Sequence, residues 1–372
     1  MKKTKNILGL GVLLLFCMMP AAAWSVSGSC TGCHTMHNSQ GGNPVGVLGA
    51  SGPYNNLVIN GCIGCHTGTN TQGSANLTTS SDAPYVLDTV VPTAVNTLAG
   101  GNFYWVADAY GNTDSKGHNV VGISGQDAIG LDPPGWSTNA AFQFNGARAA
   151  GVAWVSQLTC DGVNGCHGDV TNGISGSHHN NINGGSMLAT TSGNQGQGNH
   201  FRFLQGIKGY ENVDFEYDAI TVPGTTGHNK YKGEIRVTDA VTAHDTMTYF
   251  CSSCHGEFHA NNGGGGAGLS SGGSMASPWV RHPVDIKLPA SAPYTGYADY
   301  DVTVPMAYAD TTTAPAANDI QASGIITCLT CHVAHGSTYA DLLRWDYSSY
   351  VVNDGVNTGE GCFKCHADKD AP

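Results

Sequence analysis

The sequence predicts a fold of mostly irregular coil with few short helices and strands, and three observations lead there. Glycine supplies 52 of the 372 residues, and only 11% of residues are charged. Glycine costs a helix about 1 kcal/mol per residue relative to alanine, so long helices are not expected. The chain is also poor in large apolar side chains, too poor to offset its ordering entropy by side-chain burial alone. The third observation is a repeat. Cys30-Thr31-Gly32-Cys33-His34, Cys62-Ile63-Gly64-Cys65-His66, Cys251-Ser252-Ser253-Cys254-His255, Cys328-Leu329-Thr330-Cys331-His332 and Cys362-Phe363-Lys364-Cys365-His366 share one spacing.

Two thiols three positions apart, followed at once by an imidazole, form the attachment signature of c-type haem. Each thiol adds across one vinyl group of the porphyrin, and the adjacent His reaches the iron as proximal ligand. Zinc explains the motifs less well, because a structural zinc site has no need for His directly after every second Cys. A disulfide framework accounts for paired thiols but not for the His. The fold class is therefore a multihaem c-type cytochrome with haems forming the core, and the chain is not expected to fold without them.

A sixth site is irregular. Cys160-Asp161-Gly162-Val163-Asn164-Gly165-Cys166-His167 keeps the Cys-His ending but places five residues between the thiols. Gly162, Asn164 and Gly165 allow the extra segment to loop out. A small disulfide loop is the competing reading. Cysteine arithmetic favours haem: of 13 cysteines, Cys17 lies in the leader and the other twelve form six pairs, each ending in His. The expected cofactors are six haem c groups, five at regular sites and one at Cys160/Cys166. Their proximal ligands are His34, His66, His167, His255, His332 and His366.

Lys2, Lys3 and Lys5 precede an apolar run over residues 7–19 that ends in Pro20-Ala21-Ala22-Ala23, which reads as a secretory signal peptide over residues 1–23. Residues 24–372 then form a single multihaem cytochrome domain, with no later apolar run long enough for a membrane span. The protein is expected to be exported, to the periplasm or to the extracellular space and cell surface. Without the three leader lysines, 12 basic residues face 27 acidic ones, a net charge of −15. That sign argues against nucleic acid and anionic membranes as partners, and suits other redox proteins or extracellular acceptors.

Between the motifs, Phe103-Tyr104-Trp105-Val106 and residues 140–144 read as short strands or packing patches. Asp214, Glu216 and Asp218 alternate with Phe215 and Tyr217. The pattern fits a solvated strand face better than half of a calcium site. Residues 261–274 read as a Gly/Ser loop.

Each haem needs a second axial ligand or keeps an open position. Sixteen histidines less six proximal ones leave ten, and bis-His ligation throughout is the leading expectation. His37, His118, His282 and His335 rank first, then His179, His228 and His259, with His178, His200 and His244 last. His37 and His335 lie three residues after a proximal His. At that offset a side chain shares a face with its predecessor and serves a neighbouring haem, not the same iron. Methionine ligation is the alternative, through Met36, Met187, Met247, Met275 or Met306.

Several patches carry a family likeness: Cys30-Thr31-Gly32-Cys33-His34-Thr35-Met36-His37-Asn38-Ser39, Lys116-Gly117-His118-Asn119, Arg281-His282-Pro283, Cys328-Leu329-Thr330-Cys331-His332-Val333-Ala334-His335 and Cys365-His366-Ala367. In residues and order they resemble the OmcS-type hexahaem cytochromes of Geobacter-like bacteria. The middle of the chain departs, with its five-residue gap and the His178-His179 pair, and looks more like the wider set of deltaproteobacterial multihaem c-type cytochromes. The resemblance implies a bis-His multihaem chain used in extracellular electron transfer. It further implies a head-to-tail homopolymer, a nanowire in which His37 ligates a haem of the next subunit. Haem sites near both termini suit such an open, repeating contact. The rival class is a multihaem reductase with one open haem iron, and a third reading is a filament scaffold whose haems serve as staples.

Overall fold

The computed structural model describes residues 34–37, 39–40, 43–44, 57, 61–70, 83–93, 97–111, 113–136, 152–168, 201–204, 206–210, 216, 228–236, 242–258, 282–313 and 320–369. The leader, Cys30, Cys33, His178, His179, His200, His259 and the segments 140–144 and 261–274 lie outside them. Within these residues the chain is mostly coil. The helices are α1 (Cys62–Cys65), α2 (Met247–Ser252), α3 (Ile320–Ser323), α4 (Cys328–Cys331) and α5 (Gly361–Cys365). The longest, α2, has six residues, as expected for so glycine-rich a chain.

The strands are as short. β1 (Ser39–Gln40) pairs antiparallel with β2 (Asn43–Pro44), and β3 (Thr67–Gly68) pairs parallel with β4 (Leu87–Asp88). β5 (Thr159–Asp161) pairs with β6 (Gly165–His167). β7 (Gly209–Tyr210), β8 (Lys230–Lys232), β9 (Ile286–Lys287), β10 (Ala307–Tyr308) and β11 (Ile325–Ile326) form a five-stranded mixed sheet in the order β7-β8-β10-β11-β9. This sheet gathers residues from the middle and end of the sequence and backs directly onto α4, which begins two residues after β11.

Apolar burial is divided into three small clusters. Leu87, Phe103, Val106, Val120 and Ile123 form one, with Cys160 at its edge. Phe201, Ile207, Tyr231, Met247, Ile325 and Leu329 form a second, with Cys166 at its edge. Leu288, Tyr297, Tyr300, Met306, Tyr308 and Ile320 form a third, bordered by Cys365. Each apolar patch therefore ends at a cysteine of one of the Cys-His motifs, where a bound porphyrin would extend the apolar contact. Met247 and Met306 are spent on these clusters.

Two local expectations are corrected. Phe103–Trp105 is a single 3₁₀ turn, not a strand, because the Asn102 side chain accepts the Tyr104 amide at 2.9 Å and caps it. Glu216 does not face solvent. It is 3% exposed and left-handed at φ 53°, and accepts hydrogen bonds from Tyr300 Oη at 2.5 Å, Tyr231 Oη at 3.1 Å and Asn229 N at 3.1 Å. Alternation with aromatic residues hid a carboxylate whose donors come from residues far along the chain. Burial raises its pKa.

Candidate haem sites

The regular motifs fold alike. In each of the four that are described, the His amide donates to the carbonyl of the first Cys at 3.0 Å: His66 to Cys62, His255 to Cys251, His332 to Cys328 and His366 to Cys362. One helical turn results, which puts thiols three apart on a common face and releases the His at its end. Threonine caps support two of these turns. Thr246 accepts from Tyr249 N in α2, and Thr327 and Thr330 form a reciprocal capping box in α4.

The irregular site is built differently. Gly162 sits at φ 85°, Gly165 N donates to Gly162 O at 3.0 Å, and Thr159 N donates to Asn164 O at 3.1 Å. The five intervening residues thus fold into a tight turn between β5 and β6, which carry Cys160 and Cys166. Gly165 has no room for a side chain: a Cβ there would lie 2.2 Å from the Asp161 carbonyl carbon.

The imidazoles are oriented by the backbone. Nδ1 donates to a carbonyl oxygen in His66 (Pro84, 2.8 Å), His118 (Ala334, 2.6 Å), His167 (Arg202, 3.0 Å), His255 (Pro134, 2.6 Å), His282 (Pro283, 3.0 Å) and His332 (Asp341, 2.7 Å). A proton held on Nδ1 leaves the lone pair on Nε2, the arrangement that metal-ligating histidines adopt. Burial also lowers the pKa of His118, His282 and His366 and brings His335 down to about 3. Each therefore stays neutral, the form that binds a metal.

Three pairs of rings face each other. His118 and His255 have ring centres 6.3 Å apart, His167 and His335 are 6.3 Å apart, and His282 and His366 are 6.2 Å apart. Metal–imidazole bonds of about 2.0–2.1 Å on opposite faces of one ion place the two ring centres about 6.3 Å apart. Each pair joins the histidine that ends one Cys-His motif to one of the spare histidines, 137, 168 and 84 residues distant in the numbering. The residues present thus fit haem c, whose porphyrin the two cysteines of each motif would attach and whose iron two imidazoles would ligate.

The attachment turns are also neighbours. Cys62 and Cys160 share a hydrogen bond that lowers the Cys62 thiol pKa and raises that of Cys160, and both line one open cavity of about 210 Å³. Cys251 and Cys328 also share a hydrogen bond, where α2 meets α4, and it raises the Cys251 thiol. Burial, with Cys362 and Cys365 nearby, pushes Cys331 up to about 12.

The other predicted ligands are placed as follows. His37 is exposed, at φ 55°, beside Met36 at 70% exposure. His228 is fully buried and packed face to face on Tyr300, with ring centres 3.5 Å apart and planes 4° from parallel. His244 is exposed and stacked on Tyr249. Sequence reasoning missed the carbonyl oxygens that fix the rings, and the glycines at 101, 117 and 336 that bring His118 and His335 together. Carbonyls carry no residue signature, and these glycines are lost among 52.

The family of the doubled CXXCH motif matches residues 321–371, the span of α4, α5 and their histidines. The C-type cytochrome OmcS of Geobacter sulfurreducens is 25% identical over 393 residues, covering 93% of this chain and 86% of that protein. The chain resembles the OmcS-type multihaem c-type cytochromes. Its motifs are those of haem c. Two solved structures also match at 18% identity, each over 93% of this chain. They are the Outer Membrane Cytochrome S filament from Geobacter sulfurreducens, 92% covered with a TM-score of 0.41, and the OmcS nanowires of the same organism, 91% covered with a TM-score of 0.44. Among the described residues no helix is long and apolar enough to cross a membrane.

Proposed function

We propose that this chain is an exported electron carrier, not an enzyme, holding six haem c groups in bis-His ligation and working as a head-to-tail polymer outside the cytoplasm. The observation that carries this reading is the set of three proximal and spare histidine pairs at 6.2–6.3 Å. Haem c, when bound, supplies an iron that takes up and releases one electron. The chain's residues do the rest. The pairs His118/His255, His167/His335 and His282/His366, four of whose six rings are held by backbone carbonyls, would ligate the iron at three of the sites, so the ligand set need not change with oxidation state. Neighbouring thiols at Cys62/Cys160 and Cys251/Cys328 bring successive attachment sites into contact, which favours transfer between them.

His37 is read as the ligand offered to the next copy, because it is exposed, at φ 55°, on the turn that leads into the β1–β2 hairpin. Apolar side chains are exposed at both ends of the chain, Met36 and Leu57 near the first motif and Tyr347, Val351, Val352 and Val356 near the last. A repeating contact between the two ends covers such surfaces.

The test is a haem count per chain by pyridine haemochrome together with the EPR spectrum of the oxidised protein. Six haems, all low-spin in assembled material, are expected. His37→Ala is expected to keep six haems while abolishing long assemblies. Five haems, or polymers that persist in the variant, would remove the corresponding part of the proposal.

A further inference from the structure

Residues 334–337 run between two other stretches of chain, 100–102 on one side and 116–118 on the other. Gly336 bridges Gly101 in parallel and Gly117 in antiparallel sense. On the first side His335 N donates to Gly100 O at 2.7 Å and Asn102 N donates to Gly336 O at 2.8 Å. On the second side His118 N donates to His335 O at 3.0 Å and Ser337 N donates to Lys116 O at 2.9 Å. The His118 side chain adds a fifth bond, Nδ1 to Ala334 O at 2.6 Å. The His335 ring lies against Phe103, with centres 4.7 Å apart.

Only glycine permits this crossing. A Cβ on Gly336 would sit 2.8 Å from Asn102 O and 3.1 Å from Lys116 O. One on Gly117 would sit 2.7 Å from His335 O, and one on Gly101, at φ 75°, 2.3 Å from Gly336 O. Those neighbours are backbone oxygens, which cannot swing aside as the end of a side chain can. Residues more than 200 positions apart are thereby locked into one short ladder.

We propose that this crossing is a positioning device that ties the sixth ligand of the iron at His255 to the sixth ligand of the iron at His167, so that the two sites respond together. It rests on reading His118 and His335 as those sixth ligands. One four-residue strand carries the His335 ring and also the two carbonyls, of Ala334 and His335, that hold His118. Any shift of that strand moves both rings. The bond from His118 Nδ1 to a carbonyl also sets the donor strength of that imidazole, as outer contacts to ligating histidines do. Gly336 and Gly117 are the positioning residues.

The experiment uses the full haem-loaded chain and three variants, Gly336→Ala, Gly117→Ala and His118→Ala, read by EPR and by spectroelectrochemical titration. Both glycine variants are expected to shift the signals and midpoint potentials of two haems together and leave the rest in place. His118→Ala is expected to turn one haem high-spin and to shift one other that remains low-spin. A His118→Ala protein that stays wholly low-spin removes the ligand reading on which the proposal rests. One high-spin haem with no shift of any other leaves that reading intact and overturns the coupling, as does a glycine variant that alters a single haem or none. Should the glycine variants fail to accumulate, the response of the second haem in His118→Ala decides the matter.

Discussion

The rings of His282 and His366 cross at 76°, whereas His118 crosses His255 at 42° and His167 crosses His335 at 45°. Imidazole planes near a right angle leave the two iron orbitals that they address almost equal in energy, and planes closer to parallel split them. The oxidised protein should therefore show at least one strongly anisotropic low-spin EPR signal beside more rhombic ones. His282→Ala is expected to remove it and create one high-spin iron, and His282→Met to raise one midpoint potential.

Asp88, at the end of β4, has 0% exposure; it accepts Asn102 Nδ2 at 2.9 Å, and its Oδ2 is buried without a hydrogen-bond partner. Burial raises its carboxyl to about 6. The folded chain thus holds this proton more tightly than the unfolded chain does. The resulting stability is present in full below about pH 4 and is lost as pH rises through about 6, a change of about 2–3 kcal/mol. Thermal melts from pH 4 to 7 should fall with this slope, and Asp88→Asn should flatten it.

Arg236 and Asp285 form an ion pair at 2.7 Å with side chains 1% and 0% exposed. Thr248 of α2 donates to Asp285 at 2.5 Å and lies 3.4 Å from Thr327, the cap of α4. The pair therefore stands behind the turns that carry Cys251 and Cys328. Asp285→Ala leaves a buried guanidinium without its counter-charge and should cost about 3–5 kcal/mol in denaturant unfolding. Replacing both partners by apolar residues should recover much of that loss.

Gly165→Ala places a methyl group 2.2 Å from backbone of Asp161. The turn between β5 and β6 then cannot close, and Cys160 is separated from Cys166. Intact-protein mass spectrometry should find one haem addition fewer than in the parent. An equal count would mean that the site tolerates an open turn.

The coil-rich fold was legible in the glycine content, and the attachment turns in their spacing, because both depend on interactions within a few residues. The 3₁₀ turn at Phe103–Trp105 was not legible as such, since Asn102 decides it through a side-chain cap. Nor was the burial of Glu216, whose donors Tyr231 and Tyr300 lie 15 and 84 residues away. Among the spare histidines, His335 stood out by its offset from His332, but no local feature joined it to His167.

The sequence by itself determined what each motif is: thiol, thiol and imidazole are covalent chemistry, and their spacing along one helical turn is read without knowing the rest of the chain. Only the tertiary structure decided which histidine faces which. Those pairings span 84 to 168 residues, and they are set by backbone carbonyls and glycine contacts, groups that every residue or many residues share and that acquire meaning only where distant segments cross.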